Sequence, residues 1–289
     1  MFNQPKKIKW NEAGLILLVS LLFLSVYFFC MVFHYSLLIP LILIFIGIHL
    51  SFIKKATFKM LAQLGLLMAI IIVACHFANQ YPDFSHYLLP VSAIAMLTVL
   101  LFNDLHLAVL VAFSGSLIAS MMFGDNYEMM VIFFLGGLTG AYVVKDTRTR
   151  GRLLYAGFLV SAVNILCLFL FTPDWHVVLK SGYLKEQLYP LIANGILASL
   201  FIAATLKVFE SLFRVLTNFS LLELADFNQP LLKKLIIEAP GTYHHSMVVS
   251  NLAEAAADAI GANGLLARVG AYYHDIGKMT DPEYFTKIS

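Results

Sequence analysis

Apolar positions run almost without interruption through the first two hundred residues, and polar positions gather in short clusters between them. A bilayer core of about 30 Å is crossed by about 20 apolar helical residues. On that measure the sequence predicts eight spans, near residues 12–33, 37–53, 61–79, 86–102, 105–122, 128–144, 153–171 and 188–206. Lys and Arg collect on the cytoplasmic side of membrane helices. Lys6, Lys7, Lys9, Lys54, Lys55, Lys59, Lys145, Arg148, Arg150 and Arg152 fall on one side of this pattern, and only Lys180 and Lys185 on the other. The bias places both termini in the cytoplasm. The run from Gly14 to Phe33 is long and lacks a small-x-small cleavage site, so it is expected to be an uncleaved anchor.

The junction at His34, Tyr35 and Ser36 suits a tight hairpin between the first two spans. The alternative is a single long helix with a re-entrant piece, which would change the parity and break the charge pattern downstream. The outer loops, residues 79–85 and 172–187, are too short for a folded external domain, and Trp175, Tyr183 and Tyr189 suit an interfacial belt. Asn164 and Asn194 lie at mid-span, where an amide bonds across helices. Gly136, Gly137 and Gly140 permit close helix approach. No Asp, Glu, Lys or Arg stands inside a span away from its ends, so the ion or proton relay of a transporter is missing.

Beyond residue 206 the period changes. Val208, Phe209, Leu212, Phe213, Leu216 and Phe219 recur at helical spacing among Lys207, Glu210, Arg214 and Asn218, which predicts an amphipathic extension of the last span through Leu224. Asp226 or Asn228 before Pro230 signals a helix start, Ala239-Pro240-Gly241 a break before a helix from about Thr242, and Gly261 to Gly264 a break before a helix carrying His274 and Asp275. The fold class is all-α: a polytopic transmembrane helix bundle followed by a helical tail.

Composition agrees. The 289 residues are 60% hydrophobic and 12% charged, with mean hydropathy +0.83, against about 25% charged in soluble domains. Residues 1–206 carry 12 Lys and Arg against 8 Asp and Glu, and residues 207–289 carry 7 against 9. The acidic balance of the tail gives no electrostatic case for nucleic-acid binding. Cys30, Cys75 and Cys167 all sit in apolar runs without metal-ligand spacing.

The candidate chemistry lies in the tail. His274-Asp275-Ile276-Gly277-Lys278 follows the pair His244-His245 at a distance of 29 residues from His245 to His274. Hydrolysis of a phosphodiester at neutral pH needs a strong oxygen nucleophile and a sink for phosphoryl charge, and one or two divalent metals supply both. Imidazole and carboxylate together suit Mn, Fe, Co or Zn. Neighbours on a helix point about 100° apart, so His274 and Asp275 need His245 from the preceding helix to complete a site.

Glu238-Ala-Pro-Gly-Thr-Tyr-His-His-Ser246 and Ala271-Tyr-Tyr-His-Asp-Ile-Gly-Lys278 resemble the seven-transmembrane HD family of bacterial cyclic-di-AMP phosphodiesterases. Tyr87-Leu-Leu-Pro90, the basic loop before Ala156-Gly157, and Leu221 to Asp226 with Gln229-Pro230 extend the resemblance over about residues 37–289. It implies an anchor at 1–36, a seven-helix domain at 37–206, an amphipathic linker helix at 207–232 and the N-terminal part of an HD domain at 233–289, in a bacterial inner membrane. It implies His245, His274 and Asp275 as metal ligands, with His244 the alternate for His245. Asp275 and Lys278 would be the catalytic residues, Asp275 as metal bridge and Lys278 toward a substrate phosphate. The cofactor is then Mn or Fe, dinuclear in a complete domain. The substrate is a cyclic dinucleotide, cyclic di-AMP opened to pApA, and the chain pairs with a second copy through linker and HD domain. The family also carries an external domain where residues 34–36 stand here, and takes further His ligands and a final Asp from sequence downstream. On that count the chain is expected to be a fragment or a remnant, with a protease-sensitive tail and little turnover by itself. A reading of another class stays open, in which the chain is a non-enzymatic membrane sensor or regulatory subunit that pairs through residues 207–225.

Overall fold

The computed structural model describes residues 57–172 and 180–280, with residues 38–53 and 174–178 and parts of 24–36. The described residues are helical throughout their ordered elements, without strands. They form two compact units that divide after Phe213.

The first unit contains α1 (Leu38–Ile53), α2 (Phe58–Asn79), α3 (Val91–Phe102), α4 (Leu105–Met122), α5 (Tyr127–Val144), α6 (Arg150–Phe171) and α7 (Tyr189–Phe213). Among the described residues, five helices are long and apolar enough to cross a membrane: α2, α4, α5, α6, and α7 together with the turn that leads into it. They coincide with five of the expected spans. The expected span at 12–33 lies largely outside the described residues, and α1, over the 37–53 span, has 16 residues. The span expected at 86–102 is interrupted. A short 3₁₀ turn, His86–Leu88, gives way at Pro90 to the 12-residue α3. Proline has no N–H to donate and its ring holds the residue before it out of the α region, so a helix drawn through Pro90 on apolarity alone does not form.

α3 is the axis of this unit. Every residue from Val91 to Leu101 is buried, because α3 packs against α4, α5 and α7 at once. A helix surrounded in this way needs no polar face, which is why its sequence shows no amphipathic period. Polar side chains set the ends of the helices: Asp104 accepts from the Leu107 N–H to start α4, and Asn126 from the Met129 N–H to start α5. Asn103, at φ 50°, closes α3 in the left-handed region that Asn tolerates.

α6 packs against both α5 and α7, and small residues let the backbones meet. A Cβ on Gly157 would stand 2.6 Å from the Gly195 carbonyl oxygen, and one on Gly136 would stand 2.6 Å from Asn164 Oδ1. The mid-span amides join the interrupted segment to this contact. Asn164 Nδ2 donates to Asn194 Oδ1 at 3.3 Å, and Asn194 Nδ2 donates to the carbonyls of Tyr87 at 3.0 Å and Leu89 at 2.6 Å. Those carbonyls lie in the break ahead of α3, where Pro90 has no N–H to offer Tyr87 and the Leu89 carbonyl also accepts from the Val91 N–H at 2.8 Å, and hydrocarbon offers no substitute donor.

The amphipathic positions after 206 occupy two helices rather than one continuous extension. α7 ends at Phe213, whose carbonyl accepts from Gln63 Nε2 at 3.0 Å, and Arg214 takes φ 52°. Helix α8 (Asn218–Leu224) begins afresh behind Thr217, whose hydroxyl accepts from the Phe219 N–H.

Asn194→Leu should lower stability by about 1–3 kcal/mol by orphaning the Tyr87 carbonyl and removing one of the two donors to Leu89. Gly195→Val should cost more than that, because α6 and α7 must then separate. The unfolding midpoints of the purified variants in detergent measure both effects.

Candidate metal centre

The second unit continues from α8 through α9 (Pro230–Glu238), α10 (Pro240–Ala259), α11 (Gly264–Tyr273) and a 3₁₀ turn over Ile276–Thr280. Proline stands in the first turn of both α9 and α10, where a missing N–H is harmless. α10 starts at Pro240, so Gly241 lies inside its first turn and not in a break before it. Gly261, at φ 70°, turns the chain after α10, and Asn263 caps α11 by accepting from the Leu266 N–H.

α10 and α11 lie against one another along their lengths. Arg268 on α11 donates from one terminal nitrogen to Glu254 Oε2 on α10 at 2.8 Å and from Nε to the Tyr272 hydroxyl at 2.7 Å. Phe227, in the turn before α9, meets Tyr243 at 5.8 Å and Tyr272 at 5.4 Å between ring centroids. Tyr243 lies two residues before His245 and Tyr272 two before His274, so one phenyl ring gathers the helix segments that carry the two imidazoles. The Tyr273 hydroxyl donates to the Leu224 carbonyl at 2.7 Å, and burial pushes that phenol above its ordinary range. Leu221, Leu265 and Val269 form a small core beneath.

The structure brings His245, His274 and Asp275 together, with one ligand atom of each within 4.8 Å of the others. Asp275 Oδ2 lies 4.0 Å from His245 Nε2 and 3.4 Å from His274 Nε2, and the imidazole centroids are 5.5 Å apart. His244 is exposed and stands outside this group. The expected helix carrying His274 and Asp275 does not extend that far: α11 ends at Tyr273, and both residues lie in the turn that follows. His274 keeps helical backbone angles, φ −61° and ψ −31°, and the two side chains nevertheless turn toward one another.

The hydrogen bonding prepares the donors. His274 Nδ1 lies 2.7 Å from the Ala271 carbonyl. A carbonyl can only accept, so Nδ1 carries a proton and Nε2 is the ring nitrogen left to face a ligand. Lys278 Nζ donates to Asp275 Oδ2 at 2.6 Å. Burial alone would push the Asp275 carboxyl up, but the Lys278 hydrogen bond and the nearby charge of His274, Lys278 and His245 outweigh it and hold the group below the usual carboxylate range. Two imidazoles and an ionised carboxylate are a donor set for a divalent transition metal, and the ammonium on Asp275 shows that the carboxylate already accepts a cation. The residues fit a metal ion.

The Arg268–Glu254 pair and the role of Phe227 had no visible signal in the sequence. Arg268 and Glu254 meet through the packing of α11 on α10, and Phe227 reaches Tyr243 and Tyr272 from the turn before α9, so no local spacing marks either set.

An apolar helical bundle followed by a helical unit with converging His, His and Asp donors defines a class, that of membrane proteins bearing an HD-type metallohydrolase module. The chain belongs to the family of 7TM receptors with an intracellular HD hydrolase, matched over residues 10–217, and residues 242–289 match the HD domain. It is a multi-pass membrane protein. Over 226 residues it is 36% identical to the cyclic-di-AMP phosphodiesterase PgpH of Bacillus subtilis (strain 168), covering 76% of this chain and 32% of that protein. Over 203 residues it is 37% identical to the PgpH of Listeria monocytogenes serotype 1/2a (strain 10403S), covering 70% and 28%. An uncharacterized protein of Synechocystis is 33% identical over 202 residues, 66% of this chain and 24% of that one. The chain thus spans about a third or less of the length of these relatives. No solved structure matches it.

Phe227→Ala should lower the stability of the second unit by about 2–3 kcal/mol, because the ring is only partly buried. Arg268→Ala should lower it by about 1 kcal/mol, the loss from charge-assisted bonds being reduced by partial exposure. Limited proteolysis of the full chain at increasing urea concentration ranks the two against wild type.

Proposed function

We propose that this protein is a membrane-bound, metal-dependent phosphodiesterase of the HD type that acts on a cyclic dinucleotide, opening cyclic di-AMP to pApA. The observation that carries the reading is the convergence of His245, His274 and Asp275, with Lys278 on the shared carboxylate. The names of the two PgpH relatives supply the substrate.

In this reading His245, His274 and Asp275 would hold a manganese or iron ion, the two imidazoles through Nε2, and a complete domain would hold a second ion. Such an ion would supply a water of lowered pKa and a sink for phosphoryl charge. The residues of the chain do the rest. The Ala271 carbonyl fixes the His274 ring so that Nε2 faces the ligand. Lys278 neutralises Asp275 while no metal is bound and turns to a substrate phosphate when the carboxylate is otherwise engaged. His244 takes no part.

We further infer an anchor at residues 1–36, a seven-helix membrane domain at 37–206, a linker at 207–232 and the HD domain from 233. Eight crossings place both termini in the cytoplasm of an inner-membrane protein. The ten-to-two distribution of Lys and Arg supports that orientation. Pairing with a second copy runs through the linker and the HD domain.

Purified chain loaded with manganese and dialysed should retain the metal, and His274→Ala or Asp275→Asn should reduce the bound fraction at least about tenfold. His244→Ala should leave it unchanged, and any manganese-dependent conversion of cyclic di-AMP to pApA should disappear with the metal. Equal metal content in wild type, His274→Ala and Asp275→Asn, measured by elemental analysis, would contradict the ligand assignment.

A further inference from the structure

The connection between α5 and α6 joins two helices of membrane length through residues 145–149. It therefore lies at a bilayer surface whichever way the chain is oriented. From Lys145 to Arg152 four of eight residues are cationic, Lys145, Arg148, Arg150 and Arg152, and Asp146 is the only acid. All four cationic side chains are exposed.

Positive charge in a membrane loop is ordinary, but the position of Arg152 is not explained by it. Arg152 stands in the first turn of α6, which contains no acidic residue, and the side chain of Thr149 makes no capping hydrogen bond there. The first turn of a helix carries partial positive charge on its unbonded N–H groups, so cations placed there oppose the helix dipole. An anion outside the protein would reverse that penalty. A second feature sets the depth at which it sits. Tyr142, one turn before Lys145, is 69% exposed, and Tyr155, one turn after Arg152, is 57% exposed. Tyrosines in this position put an apolar ring against acyl chains and a hydroxyl among headgroups. The anion that meets both a tyrosine pair and an arginine cluster at that level is a lipid phosphate, which the planar guanidinium fork binds in bidentate fashion.

We propose that residues 142–155 form a docking surface for anionic phospholipid headgroups, with Lys145, Arg148 and Arg152 on the phosphate and Tyr142 and Tyr155 at the edge of the acyl region. The surface is independent of the metal centre and of the phosphodiesterase reading.

The test reconstitutes the full chain in phosphatidylcholine vesicles containing trace spin-labelled phosphatidylglycerol or spin-labelled phosphatidylcholine, and compares the motionally restricted fractions. Wild type should hold the anionic label about threefold or more over the zwitterionic one. Arg148→Gln with Arg152→Gln should bring the ratio close to parity, as should salt at about 0.5 M, which shortens electrostatic range. Arg148→Lys with Arg152→Lys should keep most of the preference. If the glutamine variant loses its helical circular dichroism, Lys145→Gln with Arg148→Gln, both outside α6, must show the same loss. Parity in wild type, or a preference unchanged by the glutamine substitutions, would overturn the proposal. Release of the anionic label by millimolar inorganic phosphate at constant ionic strength would assign the surface to a soluble phosphate ligand, and would overturn the lipid assignment.

Discussion

The second unit depends on where α11 stops. Adjacent residues in a helix diverge by about 100°, so a histidine and an aspartate side by side need a third donor from another element to complete a site. α11 ends at Tyr273, and the chain tightens into a 3₁₀ turn beyond His274 and Asp275. At that end of α11 Asp275 Oδ2 lies close to His274 Nε2 while His245 arrives from α10. The Ala271 carbonyl serves two ends here, since the bond that satisfies it at the end of the helix also sets the His274 tautomer. Phe227 and the Arg268–Glu254 pair matter because they hold α10 and α11 at the separation the three donors need.

The first unit meets a different constraint, that backbone groups at membrane depth have no water to bond. Pro90 breaks the segment ahead of α3, and Asn194 supplies the donors that the break requires. The same asparagine receives the amide of Asn164, and both sit beside the closest backbone approaches between α5, α6 and α7. Polar bonding and small-residue packing are thus concentrated at one level of the bundle, around an α3 that has no exposed face.

Much of this was legible in the chain. Five membrane-length helices follow from apolar run length, the helix starts at Pro230, Pro240 and Asn263 lie at or near punctuating residues, and the glycines at 136, 137 and 140 each have a neighbour that a Cβ would press. The group of His245, His274 and Asp275 follows from residue type and spacing. Three features were not legible, for separate reasons. Pro90 was visible, but a run of apolar residues on both sides outweighed it. The interruption at Arg214 rests on a left-handed backbone at a residue that carries no such signal, since Gly or Asn would ordinarily mark it. The end of α11 before His274 falls in a sequence without Gly or Pro until Gly277, so the pattern continued the helix through the ligands.

The central claim is that His245, His274 and Asp275 ligate one metal ion. X-ray absorption at the manganese edge counts imidazoles through the multiple scattering of their rings, and does so without turnover. Wild-type chain loaded with manganese should show two imidazoles and oxygen donors, and His245→Ala or His274→Ala at matched occupancy should show one. An unchanged imidazole count in either variant would contradict the account.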